Sequence, residues 1–160
     1  MLKSLSVVLG LMATTPAPAA EWKYEDRGVP IAYFDNGAAQ FQFACRGGSF
    51  AMGYWVKKPS AEVAAAASMS LAINAGGGIS EGGGTSFAQD MPLIHSDGSS
   101  MVIRGPVARQ WAVIAQLATE AIRVGYVRHK AQGGLEVFDG HEFGSRGSNA
   151  AIAKVLRQCG

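Results

Sequence analysis

Gly78-Ile79-Ser80-Glu81-Gly82 matches the G-x-S-x-G pattern that holds a serine hydroxyl up on a strained strand-to-helix turn in many hydrolases. That chemistry needs a helix after the serine, so that backbone N–H groups form an oxyanion hole. Here Gly82-Gly83-Gly84 follow at once, and no helix can start there. The other side chains suited to chemistry are His95, His129 and His141, with Asp97 two residues after the first and Asp139 two before the third. Residues two apart on a strand share a face, so Asp139 and His141 are expected to set a carboxylate beside an imidazole, as metal binding or acid/base work requires. A small secreted hydrolase or metal-dependent enzyme built on Ser80, Asp139 and His141 is one reading of the chain. Each histidine falls at or near a strand end or turn, where a solvated side chain is the ordinary outcome, and a triad would need three loops to converge. No cofactor and no metal are expected.

The elements that must position these groups read as alternating strands and two helices. Ile31 to Asp35 and Ala39 to Cys45 are predicted strands, joined through Asn36-Gly37, a pair that accepts positive φ in a tight hairpin. On the second of them Ala39, Phe41, Phe43 and Cys45 share the core face, while Gln40 and Gln42 point the other way. Ser49 to Val56 follows as a third strand of a meander. Ser60 suits the cap of a short helix, yet Met69, Leu71 and Ile73 alternate as in a strand from about Ser68 to Asn74. Gly76 to Gly84 is too glycine-rich for a regular element. Phe87 to His95 and Met101 to Arg104 read as another hairpin turning through Ser96-Asp97-Gly98.

Pro106 opens an amphipathic helix whose apolar stripe is Val107, Trp111, Ile114 and Ala118. Strands from Ile122 and over Leu135 to Phe143 come next. Ser148 is the expected N-cap of a C-terminal helix with Ile152, Val155, Leu156 and Cys159 on one face. The fold class is therefore α+β, an antiparallel meander sheet of about six or seven strands with these two helices.

Tyr54 and Trp55 concentrate aromatic surface near one end of that sheet. Phe50, Met52, Tyr54 and Val56 alternate against Ala51, Gly53 and Trp55, so burying the first set turns the second outward. Trp55 with Ala51 and Gly53 is thus a candidate partner surface, an apolar patch of the kind that marks an interaction site.

The address of the chain is written in residues 1–19. Lys3, the uncharged apolar run Leu5 to Ala13 and the small-residue site Ala17-Pro18-Ala19 have the order of a cleavable secretory signal, with cleavage expected after Ala19. The apolar run is too short for a bilayer core of about 30 Å. Residues 20–160 then form a single exported domain, periplasmic or secreted, carrying 13 basic and 12 acidic side chains. Near neutrality argues against a nucleic-acid partner. The two cysteines, Cys45 and Cys159, are expected to form a disulfide in an oxidising compartment, fastening the C-terminal helix to the sheet.

Cys45 at the end of an early strand, a helix then a strand over Trp111 to Val127, and the closing pattern Phe143, Gly147, Ala151, Leu156 and Cys159 together resemble the type VI secretion accessory family VasI. More remotely they resemble the invasion-associated locus B family. The chain departs from both in its Gly76 to Gly84 loop, and lacks the paired early cysteines expected for locus B. The resemblance implies an envelope accessory protein and supplies no catalytic residue. The expected function is thus a non-enzymatic exported accessory domain that binds another envelope protein. A third reading makes the Gly76 to Thr85 loop the inserting element of a secreted inhibitor.

Overall fold

The computed structural model describes residues 20–96 and 98–160, so the predicted signal segment, residues 1–19, and Asp97 lie outside the described residues. Among the described residues nine strands form two antiparallel sheets, accompanied by three helices, where the sequence predicts one meander of six or seven strands. The first sheet has the order β1 (Lys23–Asp26), β2 (Pro30–Asp35), β3 (Ala39–Arg46), β4 (Ser49–Val56) and β7 (Ser99–Arg104). The second has the order β6 (Ser86–Pro92), β5 (Ser68–Ala75), β8 (Ile122–His129) and β9 (Leu135–Phe143). The predicted hairpin of residues 87–104 is therefore divided: β6 pairs with β5 and β7 with β4. Only the Ile94↔Ser100 and Ser96↔Gly98 bridges remain of it. Splitting the strands gives each sheet one face to bury against a shared core, which a single open sheet would leave to two helices alone.

The helices are α1 (Ala61–Ala65), α2 (Pro106–Leu117) and α3 (Ser148–Gln158). Residues 60–75 hold both alternatives in turn: Ser60 caps α1, its hydroxyl accepting from the Val63 amide, and the alternation of Met69, Leu71 and Ile73 belongs to β5. In α2 the buried residues are Ala108, Trp111, Ala112 and Ala115, and Val107 is 37% exposed. The predicted stripe is rotated because alanines let α2 approach α3 and β4 closely. Ser148 is the first residue of α3 and is buried, while Gly147 at φ 80° takes the cap. Residues 23–26, which show no strand pattern of their own, pair with β2 as β1.

The core is aromatic and continuous between the sheets. Trp22 packs on Phe34, Phe41 and Phe43 with ring centroids 5.7–6.2 Å apart. Phe143 of β9 meets Phe34, Phe41 and Tyr54 of the first sheet at 5.6–6.3 Å. Two tyrosine hydroxyls then tie sheet to sheet. Tyr54 donates to the carbonyls of Val124 (3.2 Å) and Asp139, and Tyr126 donates to that of Ser99 (3.2 Å).

Both outer strands of the second sheet carry a bulge. Between Met69 and Leu71 of β5 the partner strand β6 runs from Met91 to Ala88, and between Val124 and Tyr126 of β8 the partner β9 runs from His141 to Phe138. Each holds an extra residue, with Asp90 (φ 49°) in one bulge and Asp139 (φ 46°) in the other.

Cys45 at the end of β3 and Cys159 after α3 are joined by a disulfide, with Cα atoms 5.5 Å apart across 114 residues. Arg109 of α2 supports the same junction, donating to the Cys159 carbonyl at 2.7 Å. Closing so long a loop restricts the unfolded chain. Reducing the bond should lower the denaturant-measured unfolding free energy by roughly 4 to 5 kcal/mol. An unchanged midpoint in reductant would show that packing alone holds α3.

Candidate functional site

Strand β4 alternates as the sequence requires: Phe50, Met52, Tyr54 and Val56 are buried, and Ala51, Gly53 and Trp55 are half-buried on the opposite face. Register builds that outer face into rows. Trp55 stands opposite Gln40 of β3 and Ser100 of β7, Gly53 opposite Gln42 and Val102, and Ala51 opposite Ala44 and Arg104. Helix α2 turns its apolar side to the core, so the outer face is left to the loop between β6 and β7.

That loop makes the face concave. Ile94 and Ser100 exchange backbone hydrogen bonds of 2.8 and 2.9 Å, which brings Ile94 and Ser96 to the cleft beside Trp55. Gly98, at φ +102°, lies against the indole edge: a Cβ there would come within 2.8 Å of both Trp55 Nε1 and the Val56 carbonyl oxygen. Only glycine fits there, and its lack of a side chain leaves room for the indole. The facing wall is a glutamine pair. Gln42 lies over Gly53, its amide 3.1 Å from where a Cβ would stand, and Gln40 Nε2 donates to Gln42 Oε1 at 2.8 Å. The result is a cleft of about 320 Å³ between Gln40, Gln42, Gly53 and Trp55 on one side and Ile94 and Ser100 on the other.

The described lining of the cleft is uncharged. Among the described residues its lining carries no acid, no base and no histidine. Gln40 Oε1 and Gln42 Nε2 make no hydrogen bond among the described residues, so one acceptor and one donor group of the pair remain unused there. Sequence reasoning placed Trp55, Ala51 and Gly53 here and missed Gln40, Gln42, Ile94 and Ser100. The outward phase of both glutamines was readable; what was not was that β7 would pair beyond Trp55 rather than with β6.

The second candidate set is distributed differently. Asp139 sits in the β9 bulge, where its carboxylate accepts from the Ser60 amide (2.7 Å) and hydroxyl (3.0 Å) and its carbonyl accepts from Tyr54. It therefore anchors the start of α1. His141 is half-buried near it; burial lowers its pKa and the charge of Asp139 opposes that shift. Ser80 is exposed, receives no bond from either, and donates to the Gly82 carbonyl at 3.1 Å. The glycine loop folds back on the second sheet: Asn74 holds Gly77 and Gly83, Arg123 holds the Gly77 carbonyl, and Glu81 accepts from the Gly134 amide. His95 is engaged with Ser99 and the Ala66 carbonyl, and His129 with Glu81. No group of three or more His, Cys, Asp or Glu that could hold a metal ion occurs among the described residues.

Three variants have distinct expected outcomes. Phe43 is fully buried in the aromatic core, so Phe43→Ala should cost roughly 3 to 5 kcal/mol by denaturant unfolding. Trp55→Ala should cost less than half as much; equal losses would make Trp55 a core residue. For His141 the folded pKa lies below the ordinary 6.5, so the stability of the neutral ring is whole above about pH 6.5 and is lost as pH falls through the lowered folded value. His141→Gln should flatten the fall of stability between pH 7 and 5. An unaltered profile would show that other groups carry it.

No family model, curated protein or solved structure matches the chain, so the chemistry of the cleft itself must carry the functional reading.

Proposed function

We propose that the chain is a non-enzymatic, exported binding domain of the cell envelope and that it holds its partner at the outer face of the first sheet, in the Trp55 cleft. The observation that carries this reading is the pre-set geometry of the cleft. An indole is held against a position only glycine can occupy, and facing it are amide groups with hydrogen-bonding capacity unused among the described residues. Surfaces of this kind, with a fixed aromatic anchor and a few convergent polar groups, are built for recognition. The alternative catalytic groups are committed elsewhere: Asp139 to Ser60, Ser80 to its own loop. A periplasmic or secreted location is supported by the signal pattern of residues 1–19, and the Cys45–Cys159 disulfide agrees with an oxidising compartment.

The test immobilises the disulfide-bonded protein, residues 20–160, and applies solubilised envelope material from its host. Trp55→Ala should lose most of the retained material, and Ser80→Ala and His141→Ala should lose none. A hydrolytic activity on ester or peptide substrates that disappears in Ser80→Ala would replace this reading with the enzymatic one.

A further inference from the structure

Resting on the reading of the cleft as the binding site, we propose that its ligand is a neutral saccharide, one or two rings of an uncharged glycan seated against Trp55 and hydrogen-bonded by Gln40 and Gln42. Three observations converge on that class. The first is charge. None of the described lining residues is basic, so an anionic ligand would enter a partly desolvated site without a counter-charge from them, at a cost they do not offset. The second is the hydrogen-bond inventory. The Gln40 to Gln42 bond uses one donor and one acceptor and leaves Gln40 Oε1 and the Gln42 amide N–H groups without a partner among the described residues, on two residues that share one strand face and line the cleft. A hydroxyl donates and accepts at once, so the hydroxyls of a sugar ring can answer both an open acceptor and open donors. Ser100, whose hydroxyl donates to the Ile94 carbonyl at 3.3 Å, keeps acceptor lone pairs on the far wall.

The third observation is the apolar component and its size. A sugar ring presents C–H faces as well as hydroxyl edges, and Trp55 with the 47% exposed Ile94 gives those faces something to lie against. The volume of about 320 Å³ falls at the small-molecule scale. A lipid tail or an apolar side chain would fill the cleft while leaving both glutamine amides desolvated and unpaired, which selects against them. A protein surface is the competing class; it would rest on the whole outer face, where Lys23, Glu25 and Arg104 lie beyond the cleft, instead of entering it.

The experiment uses the disulfide-bonded protein, residues 20–160, on an array of neutral and acidic glycans, with each hit titrated by calorimetry and by tryptophan fluorescence. Of the three tryptophans, Trp22 is 4% and Trp111 0% exposed, so a fluorescence shift reports Trp55. Neutral glycans should bind saturably and acidic ones should not. Trp55→Ala should weaken binding by at least about tenfold, and Gln42→Ala by roughly fivefold, as for the loss of a neutral hydrogen bond. Trp55→Phe, which keeps an aromatic face, should retain part of the affinity and serves as the check that the fold is intact. Absence of any neutral hit, equal binding of acidic glycans, or affinity undiminished in Trp55→Ala would overturn the proposal. If neutral glycans fail while Trp55→Ala still releases a protein from envelope material, the saccharide class falls and the cleft stands. If neither glycan nor envelope material depends on Trp55, both fall.

Discussion

Two buried tyrosine hydroxyls decide how the sheets sit on one another. Tyr54 reaches from the first sheet to carbonyls of the second, and Tyr126 reaches back to Ser99 of the first. A phenol in that position must find an acceptor, since an unpaired buried hydroxyl is costly, and carbonyl oxygens at fixed heights admit only one relative placement of the layers. Burial, with the nearby charge of Asp139, holds both phenols well above their ordinary pKa, so the donors stay protonated. The bulge in β9 belongs to the same device. By interrupting the ladder next to Asp139 it leaves that carbonyl free of a strand partner and open to Tyr54.

The cleft inherits its rigidity from this arrangement. Tyr54 and Trp55 are neighbours on one strand, so fastening the first inward fixes the second outward. The disulfide performs a similar service one strand away, where Cys45 pairs opposite Phe50 and ties β3 to the end of α3. The glutamines of β3 are thereby held on a strand that is anchored at its end, and in the proposed site groups held on such an element would lose little freedom on engaging a ligand.

Much of this could be read from residue order, for identifiable reasons. Period-two alternation placed β2, β3 and β4 and the phase of Trp55, because one face is wholly buried and a slip of one residue would expose Phe41 and Phe43. The cysteine pair was legible from compartment and parity. The division into two sheets was not, since β6 and β7 have hairpin spacing and only the partners available in space, β5 and β4, decide their pairing. The expected closeness of Asp139 and His141 on one strand face was altered by a bulge that leaves no local mark beyond Asp139-Gly140. The 23–26 strand forms because Trp22 is buried beside Phe34 and docks its amide on the Arg146 carbonyl, a long-range event.

The bulges at Asp90 and Asp139 have a consequence for solubility. A straight, regular edge strand is a template for pairing with any passing chain, and a kinked one is not. Here β6 and β9 are each kinked by an aspartate at positive φ. The edges of the other sheet are blunted by different means: β1 is four residues long and carries Lys23, Glu25 and Asp26, and β7 is partly occupied by the Ile94 bridge. A domain crowded among other unfolded or nascent chains thus offers few exposed backbone groups for strand addition or fibril growth. The proposed contact surface is the flat of a sheet, where side chains instead of backbone would do the recognising.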